Sequence, residues 1–197
     1  MLVFYPQRLV FLAVPKTGTT AYAAALAPHA SMVITGPPTL KHAPLYRYNR
    51  FFRPMFDKIG GDSLELLAVI REPIDWLRSW YRYRQRSAVR GTPNSTEHLS
   101  FEQFCGAYLE EERPAFADVG AQAKFLEPRP NGVCVNTLYR YENQVALQDF
   151  LRSRLGVDVS IPVHNPPCQE CPALSPSMQT KLKRHLAEDY ALWHRAL

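Results

Sequence analysis

Cysteine is scarce in this chain, with four among 197 residues, and only Cys168 and Cys171 lie close together. Cys105 and Cys134 stand alone, so no disulfide framework is expected and a hydrophobic core must hold the fold. Long apolar runs are missing too: nothing approaches the roughly 18 to 20 residues of a membrane-spanning helix. The opening segment "MLVFYPQRLVFLAVP" has no basic leader, no extended apolar stretch and no small-residue cleavage site. It reads as a first strand and not as a secretory signal, and the expected setting is cytoplasmic. Internal repeats and low-complexity segments are absent, which excludes solenoids and arrays.

What is present suits one globular domain spanning residues 1–197. Hydrophobic residues make up 46% and charged ones 21%, well outside the disordered regime. The net charge of +5 favours anionic partners. Charge alone does not separate a nucleotide from a nucleic acid, a polysaccharide or a membrane surface.

Apolar runs and helix signals alternate along the chain. "RLVFLAV" has strand length and precedes "TTAYAAALA", whose alanines favour helix. "SMVIT" is a weaker strand ended by "GPP". "LELLAVI" is the most convincing buried strand, and the helix after it, "PIDWLRSWYRYRQR", starts on proline. "SFEQFCGAYLEEE" opens with Ser100 and Gln103 at capping-box spacing. "GVCVNTLYRYE" predicts another strand, "NQVALQDFLRSRLG" a helix stopped by Gly156, and "SPSMQTKLKRHLAEDYALWHRAL" a docked C-terminal helix. The alternation predicts an α/β fold, a single-domain parallel sheet flanked by helices.

The corner after the first strand carries "PKTGTT". A helix N-terminus offers free amides and the positive end of the dipole. Gly18 lets the backbone curl close to an oxyanion, Thr19 and Thr20 add hydroxyls, and Lys16 adds a mobile cation, so the corner suits a phosphate or sulfate group. An ordinary strand-to-helix turn with a threonine cap is the other reading of the hexapeptide. A Walker A loop is not matched, because there lysine follows the second glycine, whereas Lys16 precedes the only one.

"PKTGTT" resembles the 5′-phosphosulfate loop of sulfotransferases that use 3′-phosphoadenosine 5′-phosphosulfate (PAPS). The second motif of that family is an arginine ending a later strand with a serine eight positions on. "VIREPIDWLRSWYRY" places Arg71 and Ser79 at that spacing. "KHAPLYRYNRFF", "GAQAKFL", "LYRYEN" and "RHLAEDYALW" resemble further elements of its bacterial and Golgi carbohydrate-type branch, so the resemblance covers most of the chain. The RKG-type motif of the cytosolic small-molecule branch is missing, and "HNPPCQECP" is not part of the pattern.

The resemblance implies a P-loop-NTPase-like sulfotransferase fold and the transfer of a sulfuryl group from PAPS to a hydroxyl or amine. The implied acceptor contains carbohydrate, and no nucleic-acid partner or metal is required. Lys16 would stabilise charge on the departing nucleotide, PAP. Thr17, Gly18, Thr19 and Thr20 would hold the 5′-phosphate, and Arg71 with Ser79 the 3′-phosphate. His42 is the candidate base, because histidine titrates near neutrality and its "KH" setting matches a proposed base position; a helix-capping role is the alternative.

Other residues carry weaker expectations. Trp76, Trp80 and Tyr83 follow one helix face and predict core packing. Arg82 and Arg86 could extend the anion site or form a solvated face, and the cluster Arg78, Arg82, Arg84, Arg86 and Arg90 could meet an anionic acceptor. Gln122 and Lys124 could line the cleft or serve only the helix. His164, Cys168 and Cys171 offer three ligands for zinc without a local fourth, a disulfide or ordinary thiols being the alternatives. Two rival functions stay open: a phosphotransferase with a divergent phosphate loop, which would need Mg²⁺ and carboxylates to hold it, and a non-catalytic polyanion-binding module of the same fold.

Overall fold

The computed structural model describes residues 1–61, 63–158, 161 and 173–197. His164, Cys168 and Cys171 fall outside the described residues. The chain begins with two short strands, β1 (Leu2–Phe4) and β2 (Leu9–Phe11), and then enters helix α1 (Thr19–Leu26). Strand β3 (Met32–Val33) leads to three short helical pieces, α2 (Pro38–Lys41), α3 (Leu45–Arg47) and α4 (Arg53–Ile59). The pair β4 (Glu65–Ile70) and α5 (Pro73–Arg84) follows, then α6 (Phe101–Tyr108) and α7 (Gln122–Phe125). Strand β5 (Thr137–Arg140) and helices α8 (Gln144–Leu155), α9 (Pro176–His185) and α10 (Ala187–Arg195) complete the order.

The five strands form one sheet in the order β3-β1-β2-β4-β5. Strands β2, β4 and β5 pair in parallel, with Val10 opposite Leu66 and Ala68 opposite Leu138. The sheet is nevertheless mixed, which corrects the all-parallel expectation. The opening segment is not one strand: it turns at Tyr5–Arg8, where the Arg8 amide donates to the Tyr5 carbonyl at 3.1 Å, and β1 pairs antiparallel with β2. A turn this short can join only antiparallel neighbours. Because β3 is antiparallel to β1, it runs in the same sense as β2, and β1 is the single inverted strand.

Both faces of the sheet are covered, as parallel strands with near-continuous apolar sequence require. Leu67 and Val69 of β4 join Phe11, Tyr22, Leu26, Leu147 and Leu151 on the α1 and α8 side. Leu66 and Ala68 alternate to the other face, against Leu45, Tyr48 and Phe56. A third cluster joins α5, α6 and the C-terminal helices through Trp76, Leu77, Phe104, Leu182 and Leu186.

The helix ends follow the chemistry read in the sequence. Ser100 and Gln103 close the capping box of α6, and Gly156 ends α8 at φ 67°. The predicted C-terminal helix is two helices that meet at Leu186, where φ is −96° and ψ is 22°. This break turns Asp189, in the first turn of α10, towards the start of α7.

Candidate active site

The parallel strands β2 and β4 both end at the loop between β2 and α1. Val14 is the last fully buried residue before it, and its carbonyl accepts the Thr17 hydroxyl at 2.9 Å and the Thr19 hydroxyl at 3.5 Å. Both threonines therefore brace the loop from inside, and Thr17 can reach a ligand only through its amide. The Trp76 indole N–H, from α5, donates to the Pro15 carbonyl at 2.9 Å and holds the loop from below.

The backbone then takes an uncommon course. Lys16 has φ 67° and Gly18 φ 76°, with Thr17 between them on the ordinary side. Alternating signs of φ turn successive N–H groups to one side, making an anion-binding concavity. A lysine held at positive φ costs about 1–3 kcal/mol, a strain typical of functional sites. Gly18 cannot be replaced freely, since a Cβ there would lie 3.0 Å from Cε2 of Tyr141. Among the described residues, the amides of Lys16, Thr17, Gly18, Thr19 and Thr20 donate to no protein acceptor. Five open amides in succession, at a loop and the first turn of a helix, form a ready site for an anionic acceptor from outside the chain.

Cations surround this concavity. The Lys16 ammonium lies 4.2 Å from the ring centroid of Tyr83 and 5.6 Å from that of Trp80. Burial first, then the positive charges of Arg86, Arg71 and Arg82, push its pKa down to about 8. Lys41 donates to the Thr20 hydroxyl at 3.1 Å, which leaves the Thr20 hydrogen free to donate outward. Trp76 is core, as expected, but Trp80 and Tyr83 hold the loop lysine, a role their helical spacing did not reveal.

His42 stands against the strand side of the loop. Its Nδ1 is 2.7 Å from the Ala13 carbonyl, which can only accept. Nδ1 therefore carries the proton and Nε2 presents a lone pair. Burial holds the imidazole pKa below its ordinary value, against the opposing effect of that hydrogen bond, and keeps the ring neutral near pH 7. The side chain caps no helix, because α3 begins at Leu45 after Pro44.

Arg71 directly follows β4 and is 5% exposed. Its Nε and Nη2 meet Oδ2 of Asp75 at 2.7 and 2.5 Å, and its guanidinium lies 4.4 Å from the Tyr141 ring centroid. The Gln122 side chain clamps its backbone, accepting from Arg71 N at 2.9 Å and donating to Arg71 O at 2.8 Å. Asp189 in turn accepts from the Gln122 and Ala123 amides. Gln122 is thus a buried clamp, whereas Lys124 is exposed and paired with Glu127 at 2.8 Å. Ser79 is half-buried on α5, and its hydroxyl has no partner among the described residues. It shares a helix face with Tyr83 at i, i+4 spacing, the face on which the Lys16 ammonium rests.

The arginines of α5 and of the segment after it divide by role. Arg84 is buried and donates to the Ala115 and Asp118 carbonyls; Arg78 pairs with Asp75, and Arg90 with Glu97. Arg82 and Arg86 have no carboxylate partner among the described residues, and their charges act on Lys16.

Beside the loop lies a cleft of about 200 Å³ with mainly apolar walls, among them Val14, Pro15, Pro44, Tyr46, Trp76 and Phe125. Gln122 and Lys124 also border it. A larger groove of about 520 Å³ runs along Glu65, Leu66 and Asn136 at the opposite ends of the strands and includes none of the loop residues.

No family model matches the chain, and no curated protein matches its sequence. Among solved structures, a sulfotransferase from Alicyclobacillus acidocaldarius superposes with a TM-score of 0.50, over 95% of this chain and 96% of that one, at 18% identity. The chain has a sulfotransferase fold. In that fold, residues distant in sequence gather at one end of the sheet: Lys16 to Thr20 from the first loop, Lys41 and His42 from the second connection, Arg71 from β4 and the outer face of α5. Sequence reasoning passed over Lys41 and Tyr141, and it placed Tyr83 in the core, whereas Tyr83 is exposed and carries Lys16. Among the described residues no helix is long and apolar enough to cross a membrane.

Proposed function

We propose that this chain is a sulfotransferase that moves a sulfuryl group from PAPS to a hydroxyl or amine of an acceptor, and that it works in the cytoplasm. A carbohydrate-containing acceptor follows from the branch that its motifs resemble. The observation that carries the reading is the run of five open amides from Lys16 to Thr20, with an ammonium beside it that has no carboxylate partner among the described residues.

These residues fit a phosphosulfate group. The concavity presents five open amides, and Lys16, Arg82 and Arg86 supply positive charge with no carboxylate partner among the described residues. When bound, PAPS supplies a sulfuryl group already joined to a good leaving group. The loop amides hold the 5′-phosphate, and Lys16 neutralises charge developing on the leaving oxygen. The His42 Nε2 accepts the proton of the acceptor hydroxyl as its oxygen bonds to sulfur and the sulfur–phosphate oxygen bond breaks. Nδ1–H stays on the Ala13 carbonyl, which steadies the imidazolium until its proton passes to solvent. The neighbouring cleft offers space for the acceptor, and its Pro44 and Tyr46 wall comes from the segment that carries His42.

The test is release of PAP from PAPS, followed over a panel of sugar, phenol and amine acceptors. Acceptor-dependent release without added metal, lost in Lys16→Met, is the expected result. Metal-dependent transfer of phosphate from ATP in place of sulfuryl transfer would overturn it.

A further inference from the structure

The cleft that borders the loop holds about 200 Å³ between mainly apolar walls. Val14 and Pro15 come from the loop side, Pro44 and Tyr46 from the segment after His42, and Val119 and Phe125 from the stretch around α7. Four side chains of these walls carry polar atoms: Tyr46, Trp76, Gln122 and Lys124. Three of the four are already engaged. The Trp76 indole donates to the Pro15 carbonyl, both ends of the Gln122 amide are taken by the Arg71 backbone, and the Lys124 ammonium pairs with Glu127. Main-chain groups are engaged as well, since the carbonyls of Val14, Pro44, Gly120 and Ala121 accept from Thr17, Arg47, Tyr108 and Phe125. Of the side-chain polar groups only the Tyr46 hydroxyl, on a residue that is 44% exposed, has no partner among the described residues.

Such walls reject a sugar ring and accept an apolar group. Each hydroxyl of a sugar that entered would give up its hydrogen bonds to water and find almost none in return, which is costly for every group left unpaired. An apolar group has no such loss, and its removal from water is favourable in proportion to the area buried. Size narrows the choice. An apolar cavity of about 150 Å³ takes a benzene molecule, so a cleft of about 200 Å³ takes one substituted aromatic ring or an alkyl group of similar bulk.

Resting on the PAPS reading of the loop, we propose that the acceptor is amphiphilic: an aromatic ring or a compact alkyl group enters this cleft and holds the hydroxyl to be sulfated on the side of Pro15 and Pro44, the neighbours in the chain of Lys16 and His42. A carbohydrate portion of the acceptor stays at the rim, where Tyr46 and Lys124 are exposed. Tyr46 and Phe125 are then specificity-determining side chains, chosen for an apolar substituent and not for a particular sugar. Their rings favour an aromatic substituent over an alkyl one, because offset and edge-to-face ring pairs add to the gain from burial.

The test reads the apolar group apart from the transfer. Binding of para-fluorobenzyl alcohol to the nucleotide-free protein is followed by fluorine NMR. The wild type should bind it saturably, Tyr46→Ser should weaken binding about three- to tenfold, and Phe125→Leu about two- to threefold. Val145→Ser, which removes an exposed apolar side chain on α8, should leave binding unchanged. Transfer is then followed as PAP release from PAPS with para-fluorobenzyl alcohol and with methyl and phenyl glycosides of the same sugars, which differ only in the apolar group. For every sugar that reacts, kcat/KM should be about tenfold or more higher for the phenyl glycoside, and Tyr46→Ser should narrow that ratio while PAP affinity stays within a few-fold. No saturable binding of the ring, binding indifferent to both cleft variants, or equal kcat/KM for methyl and phenyl glycosides overturns the proposal. A wild type that binds the ring but not PAP overturns the donor reading instead, and with it the ring's place in an acceptor.

Discussion

The ammonium of Lys16 rests 4.2 Å from the centre of the Tyr83 ring, the only kind of partner it has among the described residues. An aromatic face attracts a cation by about 0.5–2 kcal/mol, much less than a desolvated carboxylate would. Lys16 is therefore held in place yet free to leave for an anion. Because its folded-state pKa of about 8 lies below the ordinary lysine value, the fold binds this proton more weakly than the unfolded chain does. Stability from this group rises as pH increases from about 8 towards the ordinary value, and its charge is a liability below that window.

Lys16→Met removes that liability and keeps an apolar stem on Tyr83. In thermal melts without nucleotide the variant should unfold about 1–3 °C higher than the wild type. Its transfer rate should fall by about a hundredfold or more, because Lys16 is the group proposed to stabilise charge at the leaving oxygen. A lower melting temperature would contradict the assigned charge liability.

The pH profile of kcat/KM reports groups of the free enzyme. His42, as the proposed base, must be neutral, so activity is lost as pH falls through its pKa, which burial places below 6.5. The Lys16 charge must be present, so activity is lost as pH rises through about 8. Initial rates at limiting PAPS should trace a bell between these limbs, and Lys16→Arg should move the upper limb to higher pH.

His42→Ala removes the proposed proton acceptor without touching the loop amides. The turnover number should drop by about 10²- to 10⁴-fold, the range for general acid–base groups. Affinity for PAP, measured by calorimetry, should stay within a few-fold. Near-normal turnover would show that His42 is not the base.

Gly18→Ala meets two obstacles, φ of 76° and a Cβ 3.0 Å from Tyr141. The left-handed backbone alone costs about 1–2 kcal/mol. Urea titration should show at least that loss, and PAP should bind more weakly because the amides of the concavity shift with the loop.

Asp189→Ala tests the clamp behind Arg71. The variant leaves the buried amides of Gln122 and Ala123 without their acceptor, at a cost of about 1–3 kcal/mol. Denaturant unfolding should register this loss, and PAP binding should weaken through Gln122 and Arg71. Asp189→Asn, which keeps an acceptor oxygen, should recover part of both.

What the sequence revealed was local. The units from β2 to α1, β4 to α5 and β5 to α8 were legible because each couples an apolar run to a proline or polar cap within a few residues. The β1–β2 hairpin was not, because "LVF" and "RLVF" are both apolar and "YPQ" between them carries no glycine, although Arg8 supplies the turn with φ 53°. The break at Leu186 has no proline or glycine to announce it. It goes with Asp189 bonding to the start of α7, 67 residues away in sequence. The site divides in the same way. Its loop could be read from one hexapeptide, whereas the Tyr83 rest for Lys16, the Lys41 contact to Thr20 and the Tyr141 ring between Gly18 and Arg71 arise only when the strands assemble.

The central claim is that the open amides of Lys16 to Thr20 and the cations around them bind the sulfuryl donor's nucleotide without metal. Calorimetric titration with PAP in the presence of a chelator tests it most directly. The account predicts tight binding that Mg²⁺ does not improve and that far exceeds the affinity for 5′-AMP. Absence of PAP binding, or a preference for ATP with Mg²⁺, would contradict it.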